Sequence, residues 1–475
     1  MSQNSDQVKV LTISSLTEFG ERYGYYVIQS LLIFFLIERF NISQHASASL
    51  VGTVLAMIYI SALVGGYIAD KLINYYRAAF LGSIFMIIGS SILALSTSEN
   101  MMFLGLAFIS ISTGLIKSNI SSFIGRFYDQ SGLSDSHRDF GFNIFYVGIN
   151  LGSFFALFVA SALKDSYGFS APFYSSIIVS IFMLSLLCIG FFILKRYIAS
   201  VKLTLKKLTF TVVIICLYIA VVYALLRLPE VANLAILLAA VLAVLIMVVS
   251  AQKKYWRQVI VAGIFYLLSI LYWALYFQIF ISILLFIAHC VDHSLFGITI
   301  NNSQFLSVES LGVLIFGAVM GKIWLTFGKR GMPVNDIDKF NVAFVIMTLM
   351  FILFYFSIAA APSDAKIPAI IIVVGFLMLS ISELSLSAIG LSLVTKIAPP
   401  KYVSLYMGIW LVTIGLGGKI AGLISAHITI SANVVTSKAN MNQGMLVFIG
   451  LAIIGMIICF LTRKLIIKTA KSLAV

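Results

Sequence analysis

Apolar stretches long enough to cross a lipid bilayer recur along this chain about fourteen times, at roughly 11–36, 49–69, 78–95, 101–124, 140–163, 171–194, 208–226, 231–249, 259–288, 303–323, 340–361, 368–397, 402–426 and 445–461. In hydrocarbon each backbone N–H and C=O must be satisfied by protein, so runs of this length fold as helices. The expected fold class is an all-α polytopic membrane protein with about 14 transmembrane helices. Composition agrees, because 61% hydrophobic against 10% charged residues and a mean hydropathy of +1.08 exclude a water-soluble fold. The net charge of +14 belongs to loops between spans, where it orients the chain and meets anionic headgroups, and no nucleic-acid partner is expected.

An even number of spans places both termini on one side. Most of the 31 basic residues then fall in segments on the side of the amino terminus, among them Lys71, Arg77, Arg126, Arg138, Lys195, Arg196, Lys253, Lys254, Lys329, Arg330, Lys401 and Arg463. By the positive-inside rule both ends are cytoplasmic. The polar start, Met1 to Val8, lacks a signal-peptide pattern, so the first span is expected to be retained. Cys188, Cys216 and Cys459 lie inside apolar runs and only Cys290 lies near a loop, so neither a disulfide framework nor a metal site is expected.

Basic runs at Lys195–Lys207 and Lys253–Arg257 bracket two spans without internal charge. These read as an inserted hairpin facing lipid. The expected domains are a six-helix bundle over 1–200, the hairpin over 201–255, and a second six-helix bundle over 256–475. A faint internal echo links the halves, Gly66-x-x-x-Asp70-Lys71 and Gly317-x-x-x-Gly321-Lys322, as expected of secondary transporters whose substrate site lies between repeats.

The first span carries a polar stripe. Glu18, Glu21, Arg22, Tyr25, Tyr26 and Gln29 stand at i, i+3, i+4, i+7, i+8 and i+11, hence on one helical face. An ionised side chain at the bilayer centre costs at least ~3 kcal/mol, so such residues face protein or water and usually mark a substrate or proton path. Lys117 lies well inside the fourth span and needs a carboxylate partner, for which Glu18 and Glu21 are the available acids. The competing reading is a fixed ion pair that only joins helices. In the second half Glu383 stands alone, with no other charge between Lys366 and Lys396. No His lies deep in a span, so proton coupling would fall to carboxylates. The absence of Walker, HExxH and nucleophile-elbow patterns in a plausible context speaks against an enzyme and against ATP-driven transport.

The pattern E-x-x-E-R-Y-x-Y-Y at Glu18–Tyr26, the Lys at 117, the segment Phe145-Tyr146-Val147-Gly148-Ile149-Asn150-Leu151-Gly152-Ser153 and the acid at Glu383 together resemble the proton-dependent oligopeptide transporter (POT) family of the major facilitator superfamily. Gly65-Gly66-Tyr67-Ile68-Ala69-Asp70-Lys71 through Arg77 resembles the superfamily's cytoplasmic loop motif. The resemblance runs from Glu18 to Trp410 and implies a major facilitator fold of two six-helix bundles plus the two-helix insert. It also implies proton-coupled symport of di- and tripeptides or peptide-like small molecules by alternating access. On this reading Glu18, Glu21, Arg22 and Lys117 couple protons. Substrate contacts come from Tyr25, Tyr26, Gln29, Lys117, Asn150, Trp273, Gln278, Glu309, Glu383, Ser387 and Trp410, with Glu383 receiving the substrate amine and the two tryptophans supplying apolar walls. No cofactor is expected beyond the coupling proton. A monomer in a bacterial inner membrane is expected.

The chain departs from the family where most members carry Arg and Glu as a pair, at Gln29 and Phe277. Conversely, Glu309 replaces a common Asn, Ser310 and Ala388 replace prolines, and Lys419 is added. Glu309 and Lys419 lie at similar depth, which leaves two arrangements open: a replacement ion pair, or Glu309 alone toward the cavity. The alternatives to peptide symport are a same-fold transporter of an amine or other metabolite and a non-transporting sensor.

Overall fold

A computed structural model of the chain describes residues 2–198, 201–250, 255–330, 334–398 and 402–473. Lys253, Lys254 and Lys401 lie outside the described residues. Among those described, thirteen spans are long and apolar enough to cross a membrane. The first helix, α1 (Ser2–Phe34), is not one of these thirteen: its polar start, Ser2 to Lys9, leads into an apolar stretch that carries the charged stripe. Helices dominate because the spans are rich in Leu, Ile, Phe and Ala and nearly free of interior proline.

The helices gather into two compact units, one of residues 1–41 and 57–229, the other of residues 42–56 and 230–475. The long α2 (Gln44–Ile68) contributes to both. The first unit adds α3 (Tyr75–Ala94), α4 (Glu99–Ser131), α5 (Asp135–Tyr167), α6 (Ser170–Ile193) and α7 (Leu205–Arg227). The second unit holds nearly all of α8 (Pro229–Ser250), followed by α9 (Trp256–Tyr276), α10 (Ser282–Cys290), α11 (Asn302–Lys329), α12 (Asp336–Ala360), α13 (Ala369–Ile397), α14 (Val403–Ala426) and α15 (Val434–Leu473). A two-stranded antiparallel ribbon, Ser294–Leu295 with Ile298–Thr299, follows α10.

Glycine sets the tightest crossings in the first unit. A Cβ on Gly65 would collide with the backbone of Gly114, and one on Gly114 with Ser61, so α2 and α4 pass at near backbone contact. Asn119 Nδ2 donates to the Gly65 carbonyl at 3.2 Å across that crossing. Gly148 and Gly152, one turn apart on α5, abut the backbone of Ser15 and Phe19 on α1. That packing is what the small residues in the fifth span foretell.

Several boundaries differ from the pattern-based reading. The stretch 125–139, which separates the apolar runs 101–124 and 140–163, is helical up to Ser131, where Gly132 at φ 66° takes the left-handed cap position, and α5 begins at Asp135. Polar residues there are compatible with helix because they project beyond the spans, and Arg138 pairs with Asp129 at 2.8 Å. The ninth span is not one rod. A 3-10 turn, Phe277–Phe280, separates α9 from α10. The loop motif forms a clasp in which the Asn74 side chain caps α3 by accepting from Arg77 N at 2.9 Å, and Arg77 Nη1 donates to the Val201 carbonyl at 3.0 Å.

Candidate functional site

In the first unit the stripe closes on itself. Glu18, Glu21 and Arg22 are all buried. The Arg22 guanidinium grips Glu21 with two hydrogen bonds, Nε to Oε2 at 2.5 Å and Nη2 to Oε1 at 2.7 Å. Nε also lies 3.7 Å from Glu18 Oε1, one helical turn back. Glu18 Oε2 has no hydrogen-bond partner among the described residues. Two carboxylates therefore compete for one planar fork, and Glu21 holds it.

The opposite face of α1 explains the placement. Gly20 and Gly24 let Met183 of α6 and Met86 of α3 come within about a side chain's contact, which turns the stripe away from them. Arg22 lies over the Tyr25 ring at 4.7 Å, and Tyr25 meets Tyr26 edge-on at 5.0 Å. Lys117 sits over the Tyr59 ring at 4.7 Å, and its charge acts on Glu18 together with those of Glu21 and Arg22. All four charged residues assigned to coupling thus share one electrostatic cluster. Asn150 is buried and donates to the carbonyl of Tyr146 on its own helix at 2.9 Å. Gln29 is buried, and neither amide atom has a partner among the described residues.

The second unit contains its own group. Glu309 on α11 is 5% exposed, its Oε1 atom has no hydrogen-bond partner among the described residues, and Glu383 of α13 and the Tyr276 phenol of α9 lie close enough to act on its carboxyl. Ser310 Oγ donates to Glu309 Oε2 at 3.3 Å. Helix packing brings the two acids together, because Gly312 admits the Ser380 side chain and Ser380 Oγ donates to the Glu309 carbonyl at 2.8 Å. Glu383 follows Ser380 by three residues and so lies on the same face.

Lys419 does not pair with Glu309. Its ammonium donates to Ser49 O and Oγ, both at 3.2 Å, and to Thr53 Oγ1 at 2.8 Å, all on the part of α2 that belongs to the second unit. Similar depth along two helices did not make them neighbours, since α11 packs on α13 whereas α14 meets α2 through Gly52, Gly418 and Gly422. Neutral oxygens take the place of a counter-ion.

Trp273 stacks among Tyr272, Tyr276 and Phe277, at 5.6, 5.0 and 5.5 Å, with Nε1 unpartnered. Trp410 packs against Tyr266 at 6.2 Å and Phe340 at 6.5 Å. Gln278 is fully engaged: Nε2 donates to the carbonyls of Ala274 and Ala421, while Oε1 accepts from Ser282 and Ser425, each at 2.7 Å. All four of its polar positions serve the fold. The side chain of Ser387 lies outside the described residues. The contacts that sequence reasoning missed are Tyr59 under Lys117 and Tyr276 on Glu309. An aromatic residue inside an apolar run gives no signal of such a role.

A bundle of long apolar helices with buried charged side chains in each unit defines a polytopic membrane carrier. The family model described as PTR2: POT family matches residues 76–446. The chain belongs to the POT family and is a transporter, not an enzyme. Among curated proteins it is similar to dipeptide and tripeptide permease A of Escherichia coli (strain K12), 27% identical over 438 residues that make up 88% of this chain and 85% of the permease. Against the Yersinia pestis protein of the same name it is 26% identical over 441 residues, 90% of this chain and 86% of the relative. Of solved structures, tetrameric PepTSo2 superposes with a TM-score of 0.85 at 20% identity, covering 98% of this chain and 99% of that one. A POT family transporter in complex with 5-aminolevulinic acid superposes with a TM-score of 0.81 at 24% identity, covering 96% of each chain. These likenesses establish the major facilitator type of fold.

Proposed function

We propose that the protein is a secondary active transporter that moves di- and tripeptides, or peptide-like small molecules, together with protons by alternating access. One observation carries the reading: in the first unit Arg22 is shared unequally between two buried carboxylates, and Glu18 keeps one oxygen without a donor. A proton arriving at either acid would release Arg22 toward the other, and a substrate carboxylate would compete for the same fork or for Lys117. In the second unit Glu383 supplies the acid for a substrate amine. The printed names of the curated relatives, dipeptide and tripeptide permeases, support the substrate class.

On this reading Tyr25, Tyr26, Gln29, Asn150, Trp273 and Trp410 shape the path. The residues over 1–200 and 256–475 act as the two six-helix bundles, with 201–255 as a lipid-facing insert. The transporter works as a monomer, without a cofactor beyond the coupling proton, in a bacterial inner membrane with both termini cytoplasmic. The deciding experiment is uptake of a labelled dipeptide into proteoliposomes. Accumulation that requires an inward proton gradient is expected, and equal accumulation with and without the gradient would refute coupling.

A further inference from the structure

We infer that the insert helix α7 serves the coupling site: its Tyr218 is a positioning residue that fastens α2 to α4 beside Tyr59 and Lys117, and so fixes where the Lys117 ammonium sits. The starting point is the way α7 meets the first unit. Its buried residues are Thr211, Ile215, Tyr218, Val222 and Leu226, which share one helical face. Leu217 is 63% exposed and Val213 52%, so lipid takes the other face. The docked face lies against α4 and against the π turn Ala69–Ile73 that ends α2.

On that face only Tyr218 sends polar bonds out of its own helix. Thr211 Oγ1 donates back to the Lys207 carbonyl at 2.8 Å, and the other three side chains are apolar. The Tyr218 hydroxyl donates to the Met57 carbonyl of α2 at 2.6 Å and lies 2.8 Å from Ser110 Oγ of α4. A phenol has one hydrogen, so with that hydrogen on Met57 it is Ser110 that donates to Tyr218. One oxygen thus joins two helices that are not its own. An anchor for the insert alone would need one partner, and the apolar stripe already buries α7 without it.

The join completes a seam. Farther along the same two helices, Gly65 and Gly114 meet at backbone contact and Asn119 Nδ2 donates to the Gly65 carbonyl at 3.2 Å. Between the two fastenings Lys117 Nζ lies over the Tyr59 ring at 4.7 Å. Tyr59 follows Met57 by two residues, and Ser110 precedes Lys117 by seven, two turns along one face. Loosening the Met57–Ser110 end therefore lets the ring and the ammonium drift apart while the glycine end holds.

The effect on coupling rests on the transport reading, and the test separates the two. In full-length protein in lipid nanodiscs, Tyr218→Phe keeps the ring and loses the join. Deuterium exchange over residues 57–65 and 110–117 should quicken about twofold to tenfold, the range that one neutral hydrogen bond commands. In proteoliposomes the ratio of gradient-driven dipeptide uptake to counterflow should fall by a similar factor. Ser110→Ala, which cuts only the α4 side, should act in the same direction and carries the test if Tyr218→Phe does not fold. Tyr223→Phe, on the same helix outside the docked face, is the control. Unchanged exchange would overturn the join. A parallel fall of both uptake modes, leaving their ratio as in wild type, would overturn the positioning role, because a merely structural residue lowers both. Exchange is read without substrate, so a wild type that takes up no dipeptide would sink the transport reading and leave the join to stand or fall on exchange.

Discussion

Arg22 binds both oxygens of Glu21, at 2.5 and 2.7 Å, although the two residues are adjacent in sequence, while Glu18, one turn away on the same face, reaches the guanidinium only at 3.7 Å. This inequality gives the two acids different roles. Glu21→Gln should abolish gradient-driven accumulation yet leave counterflow exchange. Glu21→Ala, which strips a buried cation of its close partner, should lower stability by about 3–5 kcal/mol. Thermal unfolding together with paired uptake and counterflow assays would check both, and wild-type accumulation by Glu21→Gln would reject the assignment.

Neighbouring glycines should respond in opposite ways. Gly65→Ala places a methyl group against the Gly114 backbone, which has nowhere to move, and should cost about 1–3 kcal/mol. Gly66→Ala meets nothing within 4 Å and should be neutral or stabilising by up to about 1 kcal/mol. Melting curves of the two variants side by side would decide the matter, and equal shifts would show that α2 and α4 are not held at backbone contact.

Lys419 depends on neutral oxygens, so its removal and that of its acceptor should not be independent. In a double-mutant cycle of Lys419→Met and Thr53→Val, thermal stability should report a coupling of about 1.5–3 kcal/mol, as for a hydrogen bond to a charged group. Additive effects would mean that the 2.8 Å contact contributes nothing.

If Glu383 receives a substrate amine, N-acetylation of a dipeptide should weaken its competition with the free dipeptide by tenfold or more. Competition assays with both peptides would measure this directly. Equal inhibition would remove the amine contact.

Span lengths and the charge stripe made the helical fold and the first cluster legible, because the 3.6-residue period alone puts Glu18, Glu21 and Arg22 on one face. The second cluster was not. Counting residues from a span's end gives the depth of Glu309 but not the direction in which it points, so a pair with Lys419 and a place alone toward the cavity both stayed open by that measure. Gly312 and Ser380, which press α11 onto α13, held the missing information, yet a glycine and a serine in apolar runs read as ordinary small residues. The break at Phe277–Phe280 escaped notice for a related reason. Its sequence, Phe-Gln-Ile-Phe, contains no proline or glycine to interrupt a helix.

That break makes the ninth span two short levers on a joint. At Ile281 the backbone leaves helical values, with φ −124° and ψ −93°, and its N–H bonds three residues back to Gln278 instead of four. The continuous ladder that stiffens an unbroken helix is interrupted, and the angle between α9 and α10 is set by the side chain of Gln278 bracing Ala274, Ser282, Ala421 and Ser425. A single amide therefore works as a locking pin, tying α10 to α9 and α14 at the one place in this span where the helical ladder does not.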